Sequence, residues 1–128
     1  MTKDIINVQY PISDATQSVA ATGISKTAVD PDKGVSIKKA FANKNNTLMV
    51  CVENTAQTDS KVTFLAGDAF PNAMLGNLEQ DLLAKTTTVF QLQDISRFEN
   101  KDGSLNLDFP SGFSGNVFAI AKSVALNV

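Results

Sequence analysis

The side chains here with the greatest capacity for chemistry are carboxylates, one thiol and a few turn-forming amides. Asp30 and Asp32, followed by Gly34, resemble the first half of a calcium loop. Calcium takes about six to eight oxygen ligands, and no third carboxylate or closing glutamate follows at loop spacing. The segment therefore reads as a proline turn, in which Pro31 presets φ and Gly34 lets the chain reverse. Asn100-Lys101-Asp102-Gly103 lies between two β-prone runs and reads as a hairpin turn. No metal site and no other cofactor is expected.

Cys51 is the single cysteine. A nucleophilic thiol needs a base and an environment that stabilises the thiolate. The sequence has no histidine to supply either, and Cys51 is flanked by Met49, Val50 and Val52. A buried structural thiol is expected. Glu79 with Asp81, or Asp94 with Glu99, could be cast as the paired carboxylates of a glycosidase. Adjacency in sequence does not create a shared pocket, and there is no tryptophan to serve as a sugar platform. These acids are expected on solvated faces. Asn45-Asn46-Thr47 fits the glycosylation pattern, and Gly112 and Gly115 lack the spacing of a phosphate loop ahead of a helix. No catalytic residue is assigned, and the chain is not expected to be an enzyme.

The remaining candidates are adhesive. The irregular stretch 67–77 carries Phe70, Pro71, Met74 and Leu75, more apolar surface than a plain loop needs. These side chains either project as anchors for a partner or fold back over one end of the core. Ile5, Ile6, Val8 and Tyr10 form a second candidate contact set near the N-terminus.

A chain of 128 residues fits one domain and can bury a core without metal or disulfide support. Its 43% hydrophobic and 19% charged residues are those of a globular protein. With 11 basic against 13 acidic residues, no basic excess exists for phosphate contacts or a charged lipid surface. No nucleic-acid or membrane partner is expected. No apolar run approaches the ~20 residues needed to cross a bilayer. The opening Met1-Thr2-Lys3-Asp4 lacks the apolar stretch of a secretory signal, so synthesis and folding in the cytoplasm are expected.

Residues 1–34 are rich in Thr, Ser, Ala and Asp, with one short strand signal at Ile5 to Tyr10. They are expected to form an extended N-terminal arm or edge segment. From Val35 to the end, residues 35–128, strand signals recur between turn residues, as in a sandwich or barrel. Leu48, Val50 and Val52 alternate, and Asn54 to Ser60 reads as a hairpin loop before the returning strand with Val62 and Phe64. Leu78 to Lys85 fits either a helical turn or a period of two, and Thr86 to Phe90 is strongly β-prone. Leu105, Leu107 and Phe109 alternate with Asn106 and Asp108, and Val117 to Ala121 is apolar on both faces, as in a central strand. No long amphipathic helix is evident. The expected fold is all-β: an antiparallel β-sandwich, immunoglobulin-like or jelly-roll-like, with the N-terminal arm attached.

The order of motifs from Val35 to Ser123 resembles the head decoration, or cement, proteins of tailed bacteriophages. It is carried by the Asp30 to Gly34 turn, the strand Leu48 to Asn54, and Val62-Thr63-Phe64-Leu65-Ala66-Gly67-Asp68. Gly76-Asn77-Leu78, the Thr-rich strand Thr86 to Leu92, Arg97-Phe98 through Gly103, and Val117 to Ala121 follow. The resemblance implies no catalytic residues. It implies docking on the outer surface of an assembled shell, with the major capsid protein as partner. It also implies a homo-oligomer, with a trimer favoured, and a place on the exterior of the virion. Weak individual contacts gain by avidity in such a lattice. The competing expectations are a carbohydrate- or receptor-binding module of a phage fibre or bacterial surface structure, and a small hydrolase using carboxylates alone.

Overall fold

The computed structural model describes residues 2–10, 23–40, 48–68, 72–92 and 96–121. Phe41, Asn45-Asn46-Thr47, Phe70, Pro71 and Asp94 lie outside the described residues. Within them the chain forms strands and two short 3-10 turns, Asn72–Leu75 and Ser96–Phe98, with no α-helix. In chain order the strands are β1 (Asp4–Gln9), β2 (Thr27–Ala28), β3 (Val35–Lys38), β4 (Met49–Asn54) and β5 (Ser60–Phe64). There follow β6 (Leu78–Leu82), β7 (Thr87–Gln91), β8 (Leu105–Asp108) and β9 (Gly115–Ile120).

The hydrogen-bonded path runs β6-β5-β8-β3-β1-β9-β4-β7, with β2 paired to β9. The protein is all-β, a mixed sheet nearly closed into a barrel. Its two end strands, β6 and β7, are consecutive in sequence and joined by residues 83–86. The closure depends on β1. Its first half, Asp4 to Asn7, runs parallel to β3 in register with Val35 to Lys38. Its last residues, Val8 and Gln9, run parallel to Ala119 and Ile120 of β9.

Residues 4–9 are therefore not an arm or an edge but an interior strand bonded on both sides, and the sheet is mixed rather than purely antiparallel. The physical reason is the alternation of β1. Ile6 turns inward opposite the fully buried Ile37, and Val8 packs against the same core. Both ends are tied down: the Asp4 N–H donates to the Gly34 carbonyl at 3.1 Å, and the Ala121 N–H donates to the Gln9 carbonyl at 3.0 Å. Lys3 Nζ adds a 2.6 Å ion pair to Asp108.

The core lies between the inward rows of the two halves. Val50 and Val52 of β4, and Val117 and Ala119 of β9, face Val62, Phe64, Leu105, Leu107, Val35 and Ile37 from the other half. Each such Val, Leu, Ile or Phe contributes about 1.5–3 kcal/mol on burial. Phe64 occupies the centre, edge-on to Phe90 at 5.1 Å and tilted against Phe98 at 5.7 Å. Phe109 and Phe113 stack at 4.7 Å.

Two expected hairpins are not formed. β4 pairs with β7 and β9, and β5 with β6 and β8, so residues 54–60 cross from one half to the other. Both edges of β4 are already occupied, which leaves β5 no place beside it. The Asn100 to Gly103 turn does close, with the Asn100 N–H on the Ser104 carbonyl and the Gly103 N–H on the Asn100 carbonyl. It leads from a 3-10 turn into β8 instead of joining two paired strands. Leu78 to Leu82 takes the period of two, with Leu82 fully buried.

In that turn Asp102 Oδ1 accepts from both the Ser104 N–H at 3.0 Å and the Ser104 hydroxyl at 2.6 Å. These bonds hold the Asp102 carboxyl below its ordinary value. Glu53 is likewise lowered, first by its hydrogen bond from Asn116 and then by Lys26. A carboxyl depressed in the folded state stabilises above its unfolded pKa and loses that contribution as pH falls through the folded one. The melting temperature is therefore expected to fall as pH drops from about 5 to about 3. Asp102→Asn keeps the acceptor and removes the titration, so it should flatten part of that slope. Identical slopes for the two proteins in thermal melts across this range would contradict the assignment.

Candidate functional site

Several of the described carboxylates are engaged in holding the fold. Asp30 Oδ1 accepts from the Asp32 N–H at 3.0 Å, and the Asp30 carbonyl receives the N–H groups of Lys33 and Gly34. Gly34 sits at φ 75°, where a side chain would be strained and its Cβ would press on Asp108 and the Leu107 carbonyl. Glu79 and Asp81 share one exposed face of β6, opposite Thr63 and Lys61 of β5. Asp81 lies 3.9 Å from Lys61. Among the described residues no three Asp, Glu or Cys side chains gather in a way that could hold a metal ion.

An open groove of about 440 Å³ runs between the 54–63 segment and the 108–114 turn. Asp59, Glu79 and Asp108 line it, with Ser60, Thr63 and Ser114 between them. Asp59 accepts from the Ala84 N–H at 2.9 Å and Asp108 is paired with Lys3, so two of the three acids are committed to the framework. Phe109 and Phe113 are buried beneath the groove.

Cys51 is buried on β4, and burial pushes its thiol up. Its register neighbours are Val89 and Phe118, neither of which can act as a base.

The adhesive candidates divide. Ile6 and Val8 belong to the core, whereas Ile5 is 66% and Tyr10 38% exposed. Met74 is 79% and Leu75 55% exposed, at the end of the Asn72–Leu75 turn. These two side chains project; they do not cap the core.

The Met74–Leu75 turn is held from beneath by polar contacts. The Arg97 guanidinium donates to the carbonyls of Leu75, Gly76 and Asn77 at 3.1–3.3 Å. Asn77 Oδ1 accepts from the Ala66 N–H at 2.8 Å. The Gly67 N–H donates to the Arg97 carbonyl at 3.0 Å, and the Asp68 N–H to Asn100 Oδ1 at 3.0 Å. Asp68 Oδ1 in turn accepts from the Lys101 N–H at 2.7 Å. Phe98, next to Arg97, is buried against Phe64 and so anchors the platform in the core.

No protein-family model, curated protein or solved structure matches this chain. What it can do must therefore be read from the platform. A backbone turn fixed by a guanidinium and two amide side chains presents Met74 and Leu75 with little ordering left to do on contact. Three separate pieces of sequence, Ala66-Gly67-Asp68, Gly76-Asn77-Leu78 and Arg97 through Asn100, converge to make it. Arg97 and Asn77 carry no signal of this role in the sequence beyond their presence in those motifs. A lone arginine far from the loop it clamps becomes legible only when the chain is folded.

Proposed function

We propose that this chain is a non-catalytic docking protein of a bacteriophage head. It decorates the outer surface of the shell, binds the major capsid protein as a homo-oligomer and stabilises the assembled lattice. The observation that carries this reading is the adjacent exposure of Met74 (79%) and Leu75 (55%) on a turn whose Leu75, Gly76 and Asn77 carbonyls are clamped by Arg97. Such anchors on a pre-formed turn are what a low-affinity, many-copy contact needs, since each copy then loses little entropy on binding. Three of the motif pieces behind the resemblance to decoration proteins, those at 66–68, 76–78 and 97–100, also build the platform.

Mixing purified protein with expanded, undecorated capsids and sedimenting them tests the proposal directly: the protein should pellet with the shells. The double substitution of Met74→Ala with Leu75→Ala should weaken that binding at least about tenfold while shifting the melting temperature by no more than about 2 °C, because both side chains are exposed. Full binding by the double variant, or no binding by the wild type, would sink this reading.

The groove lined by Asp59, Ser60, Thr63, Glu79 and Ser114 favours a second reading, a carbohydrate- or receptor-binding module. Its carboxylates and hydroxyls suit a polyhydroxylated ligand. A glycan array separates the two, since decoration does not require sugar binding.

A further inference from the structure

The β7 edge, residues Thr87 to Gln91, supports an inference independent of capsid docking. We infer that β7 is a self-association edge, and that its occupant is β7 of a second copy of this chain, antiparallel and centred on Val89. Among the described residues β7 pairs with β4 alone. The Leu92 N–H donates to the Leu48 carbonyl and the Asn54 N–H to the Thr86 carbonyl. In an antiparallel ladder bonded pairs alternate, so these two bonds place Thr88 and Phe90 in the pairs bonded to β4. The N–H and C=O groups of Thr87, Val89 and Gln91 therefore point at the open edge, and all three residues are exposed.

An open strand edge is normally protected by charge, proline or a bulge. β7, Thr-Thr-Val-Phe-Gln, carries no charge and no proline, and its register against β4 is continuous. Val89, in its middle, is 56% exposed. It continues an apolar row across the outer face of the sheet, through Cys51 of β4 to Phe118 of β9.

Charge selects the occupant. The opposite end of the hydrogen-bonded path, β6, reads Leu-Glu-Gln-Asp-Leu, with Glu79 and Asp81 exposed. An antiparallel pairing of β6 with itself about Gln80 would set Glu79 against Asp81 of the partner subunit, a like-charge contact that is destabilising in a ladder. Pairing β7 with itself about Val89 opposes only neutral residues: Thr87 meets Gln91 of the partner subunit, and Val89 meets Val89 of the partner subunit. The same surface serves both copies, which is the condition for a closed two-fold dimer.

Sedimentation of the full chain over a range of concentrations tests this. The wild type should pass from monomer to dimer, and Val89→Lys should weaken dimerisation at least tenfold with the monomer's melting temperature nearly unchanged. Cross-linking fixes the register. In a Cys51→Ala background, needed because Cys51 lies beside Val89, Val89→Cys should form a disulfide-linked dimer with oxidised glutathione. Directly opposed residues in a bonded pair have Cα atoms about 5.5 Å apart, within disulfide reach of about 4.4–6.8 Å. Thr87→Cys should not link to itself but should link to Gln91→Cys when the two variants are mixed. A monomer at every concentration, a trimer, a dimer indifferent to Val89→Lys, or equal self-linking by Thr87→Cys would each overturn the inference.

Discussion

Asn54→Ala is expected to lower the stability of the protein by about 2–4 kcal/mol. Asn54 is 1% exposed at the end of β4, where the two free ends of the sheet come nearest to each other in sequence. Its Nδ2 donates to the Thr58 carbonyl at 3.0 Å and to the Leu82 carbonyl at 3.1 Å. Its Oδ1 accepts from the Ala56 N–H at 3.0 Å, and its own N–H reaches the Thr86 carbonyl at 2.9 Å. One side chain thus joins β4, the crossing loop and the last residue of β6, while its backbone holds the entry to β7. Truncation leaves the buried Leu82 carbonyl without its partner, at a cost of about 1–3 kcal/mol, and the partly buried Thr58 carbonyl and Ala56 N–H lose theirs at a smaller cost. For a chain of this size the melting temperature should fall by about 8–15 °C.

Asn54→Asp refines the test. The carboxylate keeps the acceptor for Ala56 but turns an oxygen towards the Leu82 and Thr58 carbonyls. Repulsion and burial raise its folded pKa, so the penalty holds above that pKa and is relieved as pH falls and an O–H donor appears. Thermal melts of the two variants beside the wild type decide the matter. An Asn54→Ala protein melting within about 2 °C of wild type would show that the amide is not the tie described.

Asn54 also shows why part of the fold was legible in the sequence and part was not. Alternation is a local property, and it placed Leu105, Leu107 and Phe109, Val62 and Phe64, and the central strand at Val117 correctly. Pairing is not local. Nothing in Asn54 to Ser60 distinguishes a hairpin loop from a crossing between halves, because both need a polar reversal of similar length. The difference lies in which strands already occupy the edges of β4. The N-terminal segment departs from the expected arm for a related reason. Ile6 and Val8 alternate as a strand does, but the polar stretch after them suggested an arm, and only the pairing with β3 and β9 makes β1 a closing strand. The adhesive residues were legible by composition at Met74 and Leu75, whereas the clamp beneath them was not, since Arg97 and Asn77 act through backbone carbonyls distant in sequence.

Two pieces of the platform, 66–68 and 97–100, meet at one close approach. Gly67 packs against the backbone of Glu99, and a Cβ built on Gly67 would fall on the Glu99 carbonyl, with the Glu99 nitrogen also in contact. These are main-chain atoms, so no side chain can swing aside to make room. Gly67→Ala should therefore force apart the 66–68 and 97–101 segments. The bond from Gly67 to the Arg97 carbonyl and the exchange between Asp68, Asn100 and Lys101 would be lost with that separation. Overpacking of this kind costs about 3 kcal/mol or more, and the melting temperature should drop by about 10 °C. The effect on docking should exceed that of the fall in stability. Arg97 would no longer hold the Leu75 to Asn77 carbonyls in one conformation, and the apolar pair would lose its pre-ordered display. Measured well below its melting temperature, the folded Gly67→Ala protein should still bind capsids at least about tenfold more weakly than wild type. Met74→Ala with Leu75→Ala should lose a similar amount of binding without the loss of stability. If Gly67→Ala melts lower yet binds as the wild type does, the clamp is only structural and Met74 and Leu75 do not depend on it. If it melts and binds as the wild type does, the approach to Glu99 relaxes without cost and the coupling is absent.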